Sequence, residues 1–293
     1  MRKLVALATA ALCLGLCHDA LATEGGGGAY PNGAEGFMTG AVPPPGNYII
    51  DYVLYYSADK LANDDGDDMM PKFDLTVFGN VLRFIHVTPK KVLGGFWAQH
   101  IFVPVLNVDV DATMGEDDKL GLGDIIIDPC VIAWHGQNWH AAAGIDIYVP
   151  VGAYDEDDLA NVGRNYWTIE PVAAVTVMPT KSTELSAKFM YDINMENSDT
   201  DYTSGQEFHV DYAASMRVKN WQLGVGGYYY QQVTEDDLDG PGMEMEKGRV
   251  FGIGPQVGLG VGKMQMILKY QTELEARNRP EGDKVWFKLV CPL

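Results

Sequence analysis

The chain has 293 residues, 47% hydrophobic and 21% charged, with a formal net charge of −19. That hydrophobic share excludes a disordered chain, and an acid excess without clustered Lys and Arg excludes a nucleic-acid partner, because phosphate binding needs basic clusters. Beyond the first 22 residues, roughly 270 remain, enough for one large all-β domain or two ordinary ones.

Residues 1–22 read as an export signal. Arg2 and Lys3 precede an apolar run from Leu4 to Cys17, and Ala20-Leu21-Ala22 supplies an A-x-A cleavage site. The run is too short to span a bilayer as a helix, which takes about 20 apolar residues. Removal of the signal takes Arg2, Lys3 and Asp19 with it and shifts the charge balance to −20. Of the cysteines only Cys130 and Cys291 are left, too few for a disulfide framework. Residues 23–46 are rich in glycine and proline, yet Tyr30, Phe37 and Met38 interrupt them and three prolines end them. A flexible linker needs none of these bulky groups. This segment is expected to start on the side of the short turns and fold into or across the mouth of the domain that follows, residues 47–293.

From Asn47 onward, alternating apolar and polar segments are joined by connections that are long, then short, then long again. The long ones, residues 57–72, 109–123, 152–165, 194–205, 234–247 and 275–283, are acidic. The short ones, residues 89–91, 136–138, 179–182, 219–220 and 262–263, are basic in four of five cases. Six long and five short connections imply twelve strands. A transmembrane antiparallel up-and-down β-barrel of the bacterial outer-membrane type has long loops on one side, tight turns on the other and an even strand count. A water-soluble sandwich has no reason to sort its loops in this way.

The two faces of each strand test this reading, because lipid-facing and lumen-facing residues alternate with period two. Phe251, Ile253, Val257 and Leu259 oppose Gly252, Gly254, Gln256 and Gly258; Phe208, Val210, Tyr212 and Met216 oppose Glu207, His209, Asp211 and Ser215. Residues 73–88, 95–107 and 124–134 alternate less cleanly. A charge on the lipid face costs about 2–4 kcal/mol at the midplane, which places Arg83, His100 and Asp128 inside. The expected lumen wall is Asp51, Arg83, His100, Asp128, Asp146, Glu170, Lys188, Asp192, His209, Asp211, Arg217, Lys269 and Lys288. Tyr148, Tyr166, Tyr228 and Tyr230 are expected as an aromatic rim. All six tryptophans fall near segment ends, as interfacial girdles require. Pro104, Pro129, Pro150, Pro171 and Pro255 lie inside expected strands and point to bulges or lumen kinks.

The opening segment followed by NYIIDYVLYYSADKL, together with GLGDIIIDPCVIAWH, GIDIYVPVGAY, NVGRNYWTIEPVAAVTVMP, ELSAKFMYDIN and GIGPQVGL, resembles the bacterial outer-membrane family named for the meta-pathway of phenol degradation. The resemblance extends over the chain from Glu24 to its end. It implies a porin-like barrel that passes aromatic or other hydrophobic growth substrates. One departure is the chain's last stretch, Val290-Cys291-Pro292-Leu293, where such barrels typically end on an aromatic residue.

No enzyme, cofactor or metal centre is read from the sequence. His209 and Ser215 share a face but are six residues apart, roughly 20 Å along a strand at 3.3 Å per residue. The acidic runs at residues 63–68 and 109–113 have the oxygen density of a hard-cation site, but Met114 and Leu120 occupy the positions where an EF-hand loop needs glycine and glutamate. They are read as solvated charge. The function expected is a passive outer-membrane channel for small hydrophobic or aromatic solutes, embedded in lipid and lipopolysaccharide. A general porin and a surface barrel with a blocked lumen are the alternatives, and the oligomeric state is left open.

Overall fold

The computed structural model describes residues 23–238 and 247–293; the expected signal at residues 1–22 and part of the connection at 234–247 lie outside them. The strands are β1 Gly46–Leu61, β2 Phe73–Val92, β3 Gly95–Ala112, β4 Gly115–Leu122, β5 Ile125–His135, β6 Trp139–Val149, β7 Thr168–Val177, β8 Thr183–Asn194, β9 Tyr202–Thr203, β10 Glu207–Val218, β11 Trp221–Gln232, β12 Asp237–Leu238, β13 Arg249–Val261, β14 Met264–Arg277 and β15 Pro280–Pro292. Twelve of these form an antiparallel wall in chain order. β1 closes it by pairing with both β2 and β15. β4 continues along β3 beyond the end of β5, and β9 and β12 make a small ribbon among the long connections. Closure leaves the twelve-strand wall without an open edge among the described residues, the condition for a strand wall in hydrocarbon.

The burial pattern is inverted relative to a water-soluble protein. Phe78, Phe84, Ile101, Leu185, Phe189, Leu223, Leu268 and Phe287 are exposed on the outer face, whereas Glu170, Asp192, His209, Asp211, Lys269 and Gln271 are buried inside. Trp139, Trp167 and Trp221 stand exposed at strand ends. Trp97 and Trp134 lie near them and donate to the carbonyls of Pro129 and Leu93. Trp286 does not belong to this girdle. It shares the inward parity of Lys284 and Lys288 on β15, is buried, and lies under Lys269 with the ammonium 5.0 Å from its ring.

Three expected connections are strands instead. Residues 89–91 continue β2, and the reversal comes at Leu93-Gly94, whose φ angles of 50° and 83° are both left-handed, the pair a two-residue primed hairpin turn requires. Residues 109–123 are largely the β3/β4 hairpin, with Ala112 opposite Gly115. Residues 275–283 form the tip where β14 meets β15. These hairpins extend the wall beyond what a bilayer needs, so the acid assigned to loops sits partly on projecting strands. The mixed alternation of β5 has a local cause. Its register with β6 shifts between Ile127 and Ile132, so Asp128 and Val131 both point inward while Ile132 returns to the outer face. Pro129 stands in that bulge. Pro171 and Pro255 sit exposed on the outer face where the β7/β8 and β13/β14 pairings skip a step, consistent with the missing N–H.

Candidate functional site

Residues 23–45 occupy the lumen. They run from the long-connection end, where Thr23 begins, to the short-turn end, where β1 starts. The expected start on the short-turn side is therefore corrected. The cause is a set of polar groups of the long connections that capture the segment at the far end. The amide of Thr23 donates to Asp236 at 3.0 Å. The Glu24 carboxylate accepts from Asn197 at 2.9 Å, Thr200 at 2.7 Å and Tyr154 at 3.2 Å. Arg164 donates to the carbonyls of Glu24 and Gly28.

Midway, residues 30–35 turn tightly against Asp211 of β10, which accepts from the Tyr30 hydroxyl at 2.6 Å and from the amides of Gly33 and Glu35, both at 2.8 Å. Lys269 of β14 donates to the carbonyls of Gly33, Ala34 and Glu35 at 2.5, 2.6 and 3.2 Å. Turn donors and turn acceptors are thus each met by one opposite charge from the wall, as buried backbone groups require. Glycine is required at position 33, where φ is 86° and a Cβ would lie 2.4 Å from Gln271. Glu24 and Glu35 are the only charged residues of the segment. Glu35 accepts from Lys288 at 2.5 Å, Arg83 at 2.9 Å and Tyr52 at 3.0 Å, and it is buried with them. Charge-assisted bonds of this kind are about twice as strong as neutral ones.

Toward the short-turn end, Phe37 packs on Ala213 and Ile267. The Met38 amide donates to Glu184 at 2.5 Å, and the Gly40 amide donates to Thr176 at 3.0 Å. Beside residues 37–43 a cavity of about 100 Å³ remains, lined by Ile50, Ile85, Val131 and Val172 and also by charged groups that include Glu35, Arg83, Asp146 and Lys188.

Most expected lumen residues are brought together here. Arg83 donates to the ring of His100 at 2.6 Å, Lys188 lies 3.6 Å from Asp146, and Asp128 accepts from the Cys130 amide at 3.1 Å. Arg217 keeps inward parity but is exposed at the short-turn mouth, 3.5 Å from Gln222. Asp51 is a correction. It lies on the outer face of β1 and accepts from Asn80 of β2 at 2.6 Å, because Ile50, Tyr52 and Leu54 take the inward positions. The tyrosines expected at the rim are another. Tyr148, Tyr166, Tyr228 and Tyr230 are all buried, since strand extensions and connections close over them. Tyr148 donates to Glu170 at 3.1 Å, Tyr228 donates to Glu273, and Tyr230 lies under Arg279 at 4.1 Å. Sequence reasoning did not pick out Glu35, Tyr52, Glu184 or Glu273. Strand parity was the available signal for the last three; Glu35 lies outside any strand and had only its solitary charge. Ser215 donates to Glu184 at 3.2 Å.

The closed wall, the apolar outer band and the polar interior define a transmembrane β-barrel of the outer-membrane type, its lumen occupied by its own N-terminal segment. The chain belongs to the family described as "Putative MetA-pathway of phenol degradation", whose model matches residues 58–289. Among solved structures it is similar to an outer-membrane channel of the COG4313 group from Pseudomonas putida F1, at 17% identity and a TM-score of 0.77, over 86% of this chain and 97% of that one. A deletion mutant of the monoaromatic hydrocarbon channel TodX aligns at 9% identity and a TM-score of 0.42, over 89% of this chain and 92% of that one. No curated protein matches the chain.

Proposed function

We propose that the protein is a passive outer-membrane channel of a Gram-negative bacterium, exported through a cleaved signal at residues 1–22, that admits small hydrophobic or aromatic solutes, with residues 23–45 as its gate. The observation that carries this reading is the cavity beside residues 37–43, bounded by aliphatic wall residues and Phe37 together with charged lumen groups. An apolar cavity of about 150 Å³ holds benzene, so a space of about 100 Å³ takes a single ring once the gate shifts slightly. Arg83, Lys188 and Asp211 hold the gate in place, and Arg83, Lys188 and Asp146, which line the cavity, orient the polar substituent of a ring. The acidic long connections repel anions and leave neutral solutes less hindered. The outer band contacts lipid, and the projecting hairpins contact lipopolysaccharide.

Single-channel recording of the full-length protein and of a variant lacking residues 24–42 tests the channel reading. Rare small openings in the first and a larger steady conductance in the second are expected. A silent deletion variant would mean a closed structural barrel and would overturn the proposal.

A further inference from the structure

We propose that the lumen wall holds a divalent transition-metal ion on Glu170, Asp192 and His209, and that its donor set best fits zinc. The first argument is strand register. Asp146 faces Glu170 across β6 and β7, and Asp192 faces Glu207 across β8 and β10. The β7/β8 register that sets Ile169 against Ile193 also sets Glu170 against Asp192. Four carboxylates on four neighbouring strands thus form one row around the lumen, all of them buried. Like charges directly opposite one another destabilise a sheet. Lys188 answers only the Asp146 side of the row, 3.6 Å from Asp146 and 3.8 Å from Glu170.

The second argument is geometric. His209 Nε2 lies 3.2 Å from Asp192 Oδ2 and 3.6 Å from Glu170 Oε2. One donor atom from each of the three residues lies within 4.8 Å of the others. Tetrahedral zinc with bonds of about 2.1 Å separates its ligand atoms by about 3.4 Å, close to the spacing of His209 from each of the two carboxylates. The third argument is unmet polarity. Both ring nitrogens of His209, both carboxylate oxygens of Asp192 and Oε1 of Glu170 make no aligned hydrogen bond among the described residues, their contacts including the 3.2 Å approach of His209 to Asp192 and Lys188 at 3.8 Å from Glu170, although all three side chains are fully buried. Groups left in this way are costly, and an ion at their centre satisfies them together. Tyr148 donates to Oε2 of Glu170 at 3.1 Å, the oxygen that also lies 3.6 Å from His209 Nε2, and a hydrogen bond that orients a metal-binding carboxylate is usual. One imidazole with two carboxylates favours zinc over calcium or magnesium, which prefer oxygen alone. The ion would pin β7, β8 and β10 behind Tyr30, whose ring packs 5.1 Å from that of His209. No spacing in the sequence reveals the set, because its members come from three strands.

The test is metal retention by the full-length protein in detergent, stripped with EDTA, incubated with zinc chloride, desalted and analysed by mass spectrometry. The wild type is expected to keep about one zinc per chain, and His209→Gln and Asp192→Asn to lose it. A D64N/D65N variant is expected to retain it, because those acids lie on an outer connection. No zinc in the wild type, equal zinc in H209Q and D192N, or its loss in D64N/D65N would each overturn the proposal. Unheated gel mobility checks that the variants fold. Should one not fold, cobalt-loaded wild type decides, with intense tetrahedral bands displaced by zinc supporting the site and a weak octahedral spectrum refuting it.

Discussion

Glu35→Gln removes the charge that holds the centre of the N-terminal segment while keeping its shape. The carboxylate bonds to Lys288 at 2.5 Å, Arg83 at 2.9 Å and Tyr52 at 3.0 Å. Side-chain exposure is 16% for Arg83 and 8% for both Lys288 and Glu35, so solvent screens the pairs little. Removing one partner of a buried pair costs about 3–5 kcal/mol. The lower figure applies here, because the two cations regain water once the segment leaves. At 1.4 kcal/mol per factor of ten, about 3 kcal/mol shifts the ratio of released to seated segment by roughly two orders of magnitude. In planar bilayers the open-time fraction of E35Q should therefore rise by about that factor until it saturates. Replacing Glu35, Arg83 and Lys288 together by methionine should restore the closed behaviour, since a buried charge cluster exchanged whole for apolar groups of similar volume is often neutral or stabilising. An E35Q trace indistinguishable from that of the wild type would refute the idea that this charge seats the gate.

Gly40→Ala should unseat the lower part of the segment, because its Cβ would lie 2.6 Å from the Thr176 amide nitrogen and 2.8 Å from Val175 Cα, both backbone atoms of the wall. Protease cleavage near residue 40 in the folded G40A barrel, with the wild type resistant, is the expected result. In a background with Cys130 and Cys291 replaced by alanine, a spin label at position 51 should be relaxed by oxygen dissolved in lipid and one at position 52 should not; the reverse would return Asp51 to the lumen. Leu268→Arg should lower the unfolding free energy of the refolded barrel by about 2–4 kcal/mol, and Leu274→Arg, on the projecting hairpin, by about 0–1 kcal/mol. Equal losses would mean that the β14/β15 extension lies at membrane depth.

The barrel was legible in the sequence wherever one parity was apolar and the other small or polar, as on β8, β10, β13 and β14. It blurred at β5 because a bulge reverses parity within one strand. It failed at Asp51 because β1 carries large side chains on both faces: Tyr52 and Tyr56 point inward while Val53 and Tyr55 point outward. Tyr30, Phe37 and Met38 marked the segment at 23–46 as more than a linker, but its direction depends on Asp236, Asn197 and Thr200, contributed by connections about 170 to 210 residues away. Lys269, Asp211 and Lys288 were legible as lumen residues by parity. Their grip on carbonyls and amides of the segment was not, since nothing local to a strand encodes the turn it holds. The row of acids had the same difficulty: each member was visible on its own strand, and only the register between strands makes them neighbours.

Proteoliposome swelling tests the central claim most directly, with neutral phenol compared against sugars. The account predicts faster entry of the aromatic solute through the full-length protein, with the advantage shrinking when residues 24–42 are deleted. Equal rates for phenol and sugars through the full-length barrel would contradict it and make the protein a general porin.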